Sequence, residues 1–137
     1  MKQVIDTGLP VSKSPLEWAT LADGILYTAQ IPITANGQIL DGDAAAQAEQ
    51  TLDNLKQTVE AAGGTLDDIT QVLIYVTGAE HLKPVNEVYA RYFSAPYPNR
   101  AAMVISALAR PEMVVEMIAY AHIGEPKKIG QQTSNQH

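Results

Sequence analysis

Two charged side chains stand in stretches that otherwise carry no charge. Glu116 interrupts Met113-Val114-Val115-Glu116-Met117-Ile118-Ala119, an apolar run of strand-forming character. A carboxylate there is costly unless it faces water, pairs with a cation or takes up a proton. Two readings follow: an outward or salt-bridged Glu that fixes the strand's register, or a carboxyl of raised proton affinity in a pocket, able to pass protons. Arg100, one of three arginines, follows Pro96-Tyr97-Pro98-Asn99 and leads into Ala101-Ala102-Met103-Val104. Its guanidinium either satisfies backbone carbonyls and acidic neighbours, or grips a carboxylate through two parallel bonds of about 1.5–3 kcal/mol each. Placed on adjacent strands, Arg100 and Glu116 would make an anion clamp beside a proton-handling group.

Other chemistries are not signalled. The chain has no phosphate loop, nucleophile elbow or two-His zinc helix. His81, His122 and His137 have no metal-ligand spacing and read as surface or capping residues. With no cysteine, thiolate nucleophiles, disulfides and Cys-built metal sites are excluded, and a reducing, cytoplasmic location fits.

The elements that must position these residues can be read from periodicity. Residues 2–5 and 16–20 read as short extended pieces, with turn formers Thr7, Gly8, Pro10 and Ser12 between them. Ile25 to Ile31 favours a strand closed by Pro32, and Ala35-Asn36-Gly37 is a hairpin-type turn. Asp43 can cap a helix whose apolar stripe is Ala48, Leu52, Leu55, Val59 and Ala62, with Gly63-Gly64 as its stop. Gln71 to Thr77 is apolar on both alternating sets, which predicts a strand covered on both faces. A second helix spans about His81 to Phe93, with Pro84 in its first turn and Leu82, Val85, Val88, Tyr89, Tyr92 and Phe93 as its stripe. Two strands follow, Ala101 to Leu108 and Met113 to His122, joined at Ala109-Arg110-Pro111.

This gives one α+β domain over 1–124, ordered β-β-β-α-β-α-β-β, and a polar tail over 125–137 that reads as mobile. Two helices cover only one face of such a sheet, so a homo-oligomer is expected to bury the other. The net charge of −6, or −7 without the tail from Gly124 onward and its +1, argues against a nucleic-acid surface. No apolar run approaches the ~20 residues of a membrane span, and Met1 to Pro10 has no secretory h-region.

From about residue 10 to 123 the chain resembles the Rid (YjgF-type) family of enamine/imine deaminases. Thr28-Ala29-Gln30-Ile31-Pro32 is similar to that family's Ser-Gly-Gln-hydrophobic-Pro strand, Ala46 to Leu55 to its first helix, and Val85 to Phe93 to its second. Pro98-Asn99-Arg100 followed by Val115-Glu116 resembles its paired Pro-X-Arg and hydrophobic-Glu signature.

The resemblance implies a chorismate-mutase-like fold: a six-stranded, mostly antiparallel sheet with two helices on one face, assembling as a homotrimer with sites in the clefts between subunits. It implies hydrolysis of reactive enamines and imines of the 2-aminoacrylate and 2-iminopropanoate type to 2-keto acids and ammonia, without metal or organic cofactor. It carries over Arg100 as the substrate-carboxylate residue, Glu116 as the residue that positions or activates water, and Thr28 and Asn86 as cleft residues. Leu16, Ala29 and Ala102 would line the same pocket where the family commonly has Tyr, Gly and Cys. An alternative is a non-catalytic module that binds or senses a keto acid-like anion on the same scaffold.

Overall fold

Helix α1 (Ala44–Ala61) starts and stops where local chemistry dictates. The Asp43 carboxylate accepts from the Ala46 N–H at 2.9 Å, satisfying one of the free donors of the first turn. At the other end Gly63 takes a φ of +94°, and Gly63 and Gly64 donate to the carbonyls of Glu60 and Val59. This paired closure needs the left-handed conformation that glycine adopts most cheaply. Between the caps, Ala48, Leu52, Leu55 and Val59 are fully buried. Each large apolar side chain so buried contributes about 1.5–3 kcal/mol relative to exposure. Helix α2 (Leu82–Tyr92) lies against α1 and buries Val85, Val88 and Tyr89.

The computed structural model describes residues 1–124, so the polar tail over 125–137 lies outside the described residues. The six strands are β1 (Gln3–Val4), β2 (Ala19–Ala22), β3 (Ile25–Gln30), β4 (Ile69–Val76), β5 (Asn99–Val104) and β6 (Val115–His122). They form one sheet in the order β1-β2-β3-β6-β4-β5. Every neighbouring pair is antiparallel except β4 and β5, which are parallel. A parallel pair needs a crossover, and α2 provides it. No helix among the described residues is long and apolar enough to cross a membrane.

Three expectations are corrected. β5 and β6 are not adjacent, because β4 lies between them. The crossover through α2 sets β5 on the outer edge of β4, which leaves the other edge of β4 for β6. The connection then passes over the end of β4: Ile105 N–H donates to the Val76 carbonyl at 2.8 Å, and Thr77 N–H to the Val114 carbonyl at 3.1 Å. The strand limits also differ. β2 begins at Ala19, after the Ser12 to Leu16 turn; β5 spans Asn99–Val104 rather than Ala101 to Leu108; β6 begins at Val115.

Finally, β4 is closed on one face only. Ile69, Val72, Ile74 and Val76 are buried toward the helices, while Gln71, Leu73 and Tyr75 are half-buried on the opposite face. A bulge between Ile69 and Gln71 inserts Thr70, which is why Ile69 and Val72 share a face at odd spacing. The open face continues through Tyr27 and Ala29 of β3, Glu116, Ile118 and Tyr120 of β6, and Met103 of β5. Tyr27 and Tyr120 meet edge to face across the strands, 5.6 Å between ring centres.

Candidate active site

Glu116 owes its position to a buried amide on α1. The Gln47 Nε2 donates to the carbonyls of Leu40 (3.1 Å) and Glu112 (2.8 Å), and its Oε1 accepts from Val114 N–H at 2.9 Å. One side chain thus satisfies the backbone on both sides of the β6 entry and fixes the strand's register. Two residues on, Glu116 stands opposite Tyr75 on the open face, half-buried. It makes no ion pair or side-chain hydrogen bond among the described residues. Burial alone pushes its carboxyl above the ordinary value of 4.5, because leaving water disfavours the charged form. Of the two readings of this residue, a salt bridge is not realised among the described residues.

Arg100 is the second residue of β5, in register with Val72, and therefore on the helix-facing side. Its Nη1 donates to the Asn86 Oδ1 of α2 at 2.8 Å, and the guanidinium lies over the Tyr89 ring, 4.8 Å from its centre. The group is exposed, and its other N–H donors have no hydrogen-bond partner among the described residues. Ala102, in register with Ile74, lies on the same side of β5 and is exposed. Asn86, Arg100 and Ala102 are thus brought together at one margin of the sheet.

The chain does not bring Arg100 to Glu116. They lie on opposite faces, two strands apart (about 10 Å) and three residues along (about 10 Å). The juxtaposition expected of Arg100 and Glu116 on adjacent strands is therefore not met within one protomer. Ala29 is exposed on the Glu116 face, in register with Ile118. Leu16, 48% exposed, sits in the turn that leads into β2, at the end of the sheet where β6 begins.

Thr28 is elsewhere. It faces the helices, 6% exposed, donating to the Trp18 carbonyl and accepting from the Gln30 Nε2. With its proton committed and one acceptor site filled, its hydroxyl acts within the core: Gln30 bridges it to Thr58 of α1 at 2.9 Å. Buried polar side chains of this kind, including Asn54 on the carbonyls of Ile31 and Ile33, escape a reading by hydrophobic period, since they occupy core positions without being apolar. Tyr89, whose ring lies against Arg100, is one helical turn from Asn86, and that spacing is the only sequence signal of their shared face. No group of three or more His, Asp or Glu among the described residues could hold a metal ion.

The sequence pattern of the family described as Endoribonuclease L-PSP matches residues 10–123. Among solved structures, the Rid-family protein YyfA of Yersinia pestis is 32% identical, with a TM-score of 0.84 over 90% of this chain and 100% of its own. RidA of an Antarctic Psychrobacter species is 31% identical, with a TM-score of 0.82 over 88% of this chain and 99% of its own. Escherichia coli TdcF, solved with bound serine, is 28% identical, with a TM-score of 0.80 over 88% of this chain and 98% of its own. The chain belongs to the Endoribonuclease L-PSP family, the YjgF/Rid family of proteins.

Proposed function

We propose that this protein is a cytoplasmic homotrimeric deaminase that hydrolyses reactive 2-imino acids and their enamine tautomers to 2-keto acids and ammonia. The observation that carries this reading is Arg100: a guanidinium steadied by α2 at an exposed margin, with donors free for a carboxylate. Glu116 complements it from a second copy of the chain, whose open face meets this margin in the assembly. Such contacts would also cover Leu73, Tyr75, Ile118 and Tyr120, which the single chain leaves partly exposed.

The chemistry needs little more than placement. The substrate carboxylate is held by Arg100 through two parallel N–H bonds. Water adds to the carbon of the protonated imine while the C=N π electrons move to nitrogen, and the Glu116 carboxylate takes the water's proton. The product is a carbinolamine bearing hydroxyl and amine on one carbon. Glu116 returns the proton to the amine, the C–N bond breaks with its electrons on nitrogen, and ammonia leaves. The hydroxyl then sheds its proton to give the keto acid. A Glu of raised proton affinity suits this exchange, because it holds the proton long enough to return it. TdcF with bound serine supports a ligand of this size and charge in a relative.

The family's endoribonuclease description is disfavoured by the net charge of −6, which gives no overall attraction for a phosphate backbone. A second reading, a binding or sensing module for keto acid-like anions, is favoured by the apolar side chains Leu16 and Ala102 and by the committed hydroxyl of Thr28, which leave few polar groups for catalysis.

The test generates imines in place with an amino-acid oxidase and follows their decay with and without the protein. Accelerated decay for at least one small amino acid is expected. Unchanged decay across several, from a folded trimer, overturns the deaminase. Calorimetric binding of a 2-keto acid without turnover would establish the second reading instead.

A further inference from the structure

Arg100 is held from two directions by one helix. Asn86 accepts its Nη1–H at 2.8 Å, and Tyr89, one turn later, places its ring under the guanidinium at 4.8 Å. Behind this ring, Phe93 stacks at 4.5 Å between centres and 30° between planes, and both rings are buried. The Tyr89 ring is thus fixed from behind. Its hydroxyl is buried and finds no hydrogen-bond partner among the described residues, so the ring is the part of Tyr89 that meets a charge. A cation over an aromatic face is attracted by the ring quadrupole, most strongly where water is partly excluded.

We propose that Tyr89 is a positioning residue: its ring face, not its hydroxyl, sets the plane of the Arg100 guanidinium, so that the donors left free by Asn86 meet a substrate carboxylate. The proposal rests on the reading of Arg100 as the carboxylate clamp. Ordering the guanidinium before the ligand arrives removes freedom that binding would otherwise have to remove.

The chain has three arginines, so its Arg Nε–Hε spectrum is simple to assign, Arg100→Lys identifying the Arg100 signal by its loss. In the wild-type protein the Arg100 side-chain protons are expected upfield of those of Arg91 and Arg110, shielded by the Tyr89 ring. An unshielded Arg100 signal in the wild-type protein overturns the proposal, whether or not the Tyr89 variants fold. Tyr89→Phe should keep both the shielding and KM. Tyr89→Leu should abolish the shielding and raise KM roughly 3- to 30-fold, with kcat within about two-fold. A folded Tyr89→Leu protein with unchanged KM overturns the role, as does a Tyr89→Phe protein that behaves like it. Pyruvate titration replaces KM if the wild-type protein does not turn over imines; in that case the deaminase reading fails while the placement of Arg100 is judged by its own signal.

Discussion

The two faces of the sheet treat side chains differently. On the helix side Val72, Ile74, Val76 and Met117 are fully buried beneath α1 and α2, and polar groups that enter, such as Gln30, Gln47 and Asn54, are hydrogen-bonded to named partners. On the open side Leu73, Tyr75, Ile118 and Tyr120 are half-buried, and Glu116 stands among them with no cation partner among the described residues. The first face is closed by the chain's own helices, with only the Gln30 Oε1 and the Tyr89 hydroxyl left without a hydrogen-bond partner among its described buried side chains. The second is left partly exposed by the single chain, and burial raises the proton affinity of Glu116 on it. Arg100 belongs to neither layer fully: it lies at the helix-side margin, exposed, with its orientation borrowed from α2.

Substitutions sharpen this contrast. Arg100→Ala should have the largest effect, lowering kcat/KM by roughly 10²- to 10⁴-fold through loss of two charge-assisted bonds. Its effect on thermal unfolding should stay under about 1 kcal/mol, because the side chain is exposed. Wild-type turnover by Arg100→Ala would move the site elsewhere.

Glu116→Gln should lower kcat by roughly 10²-fold or more and yet stabilise the fold at neutral pH. The sign follows from linkage. The folded state binds the Glu116 proton more tightly than the unfolded state, so stability attributable to this group is fullest below about 4.5 and is lost as pH rises through the raised folded value. Gln removes that loss, so the stability gain over wild type should vanish at low pH. The same ionisation should give kcat/KM an acid limb above the ordinary Glu range, absent in the variant. Denaturant unfolding and rate profiles across pH check both.

A smaller pair contrasts the faces directly. Leu52→Ala, in the closed core, should cost about 2–5 kcal/mol of stability by opening a cavity. Ile118→Ala, on the open face, should cost the isolated fold less and instead weaken self-association, read by sedimentation over a range of concentrations. Equal losses of stability with unchanged association would erase the distinction between the faces.

The helices were legible because their signals are local. The stripe from Ala48 to Val59, the Asp43 cap and the Gly63-Gly64 stop each act within a turn or two. Sheet order was not. Alternation tells which residues share a face, not which strand lies alongside, and β5 could sit beside β4 only because α2 carries it there. Arg100 and Glu116 were conspicuous as charges in apolar strands, but their separation depended on that strand order. Thr28 matched a site position in type and place, yet its hydroxyl is committed to Trp18 and Gln30, a fact that spacing cannot carry. Tyr89 looked like one more core aromatic, since ring and cation meet only after β5 docks against α2.

In the proposed trimer, Arg100 of one protomer and Glu116 of another complete a site that neither protomer holds alone. Arg100→Ala and Glu116→Gln proteins, each inactive by itself, can be unfolded together, refolded at equal amounts and assayed for imine hydrolysis. In a cyclic trimer with random mixing, about one quarter of the clefts would pair an intact Arg100 with an intact Glu116, so activity should return to about a quarter of wild type. A mixed assembly that stays as inactive as its parents would contradict a shared site.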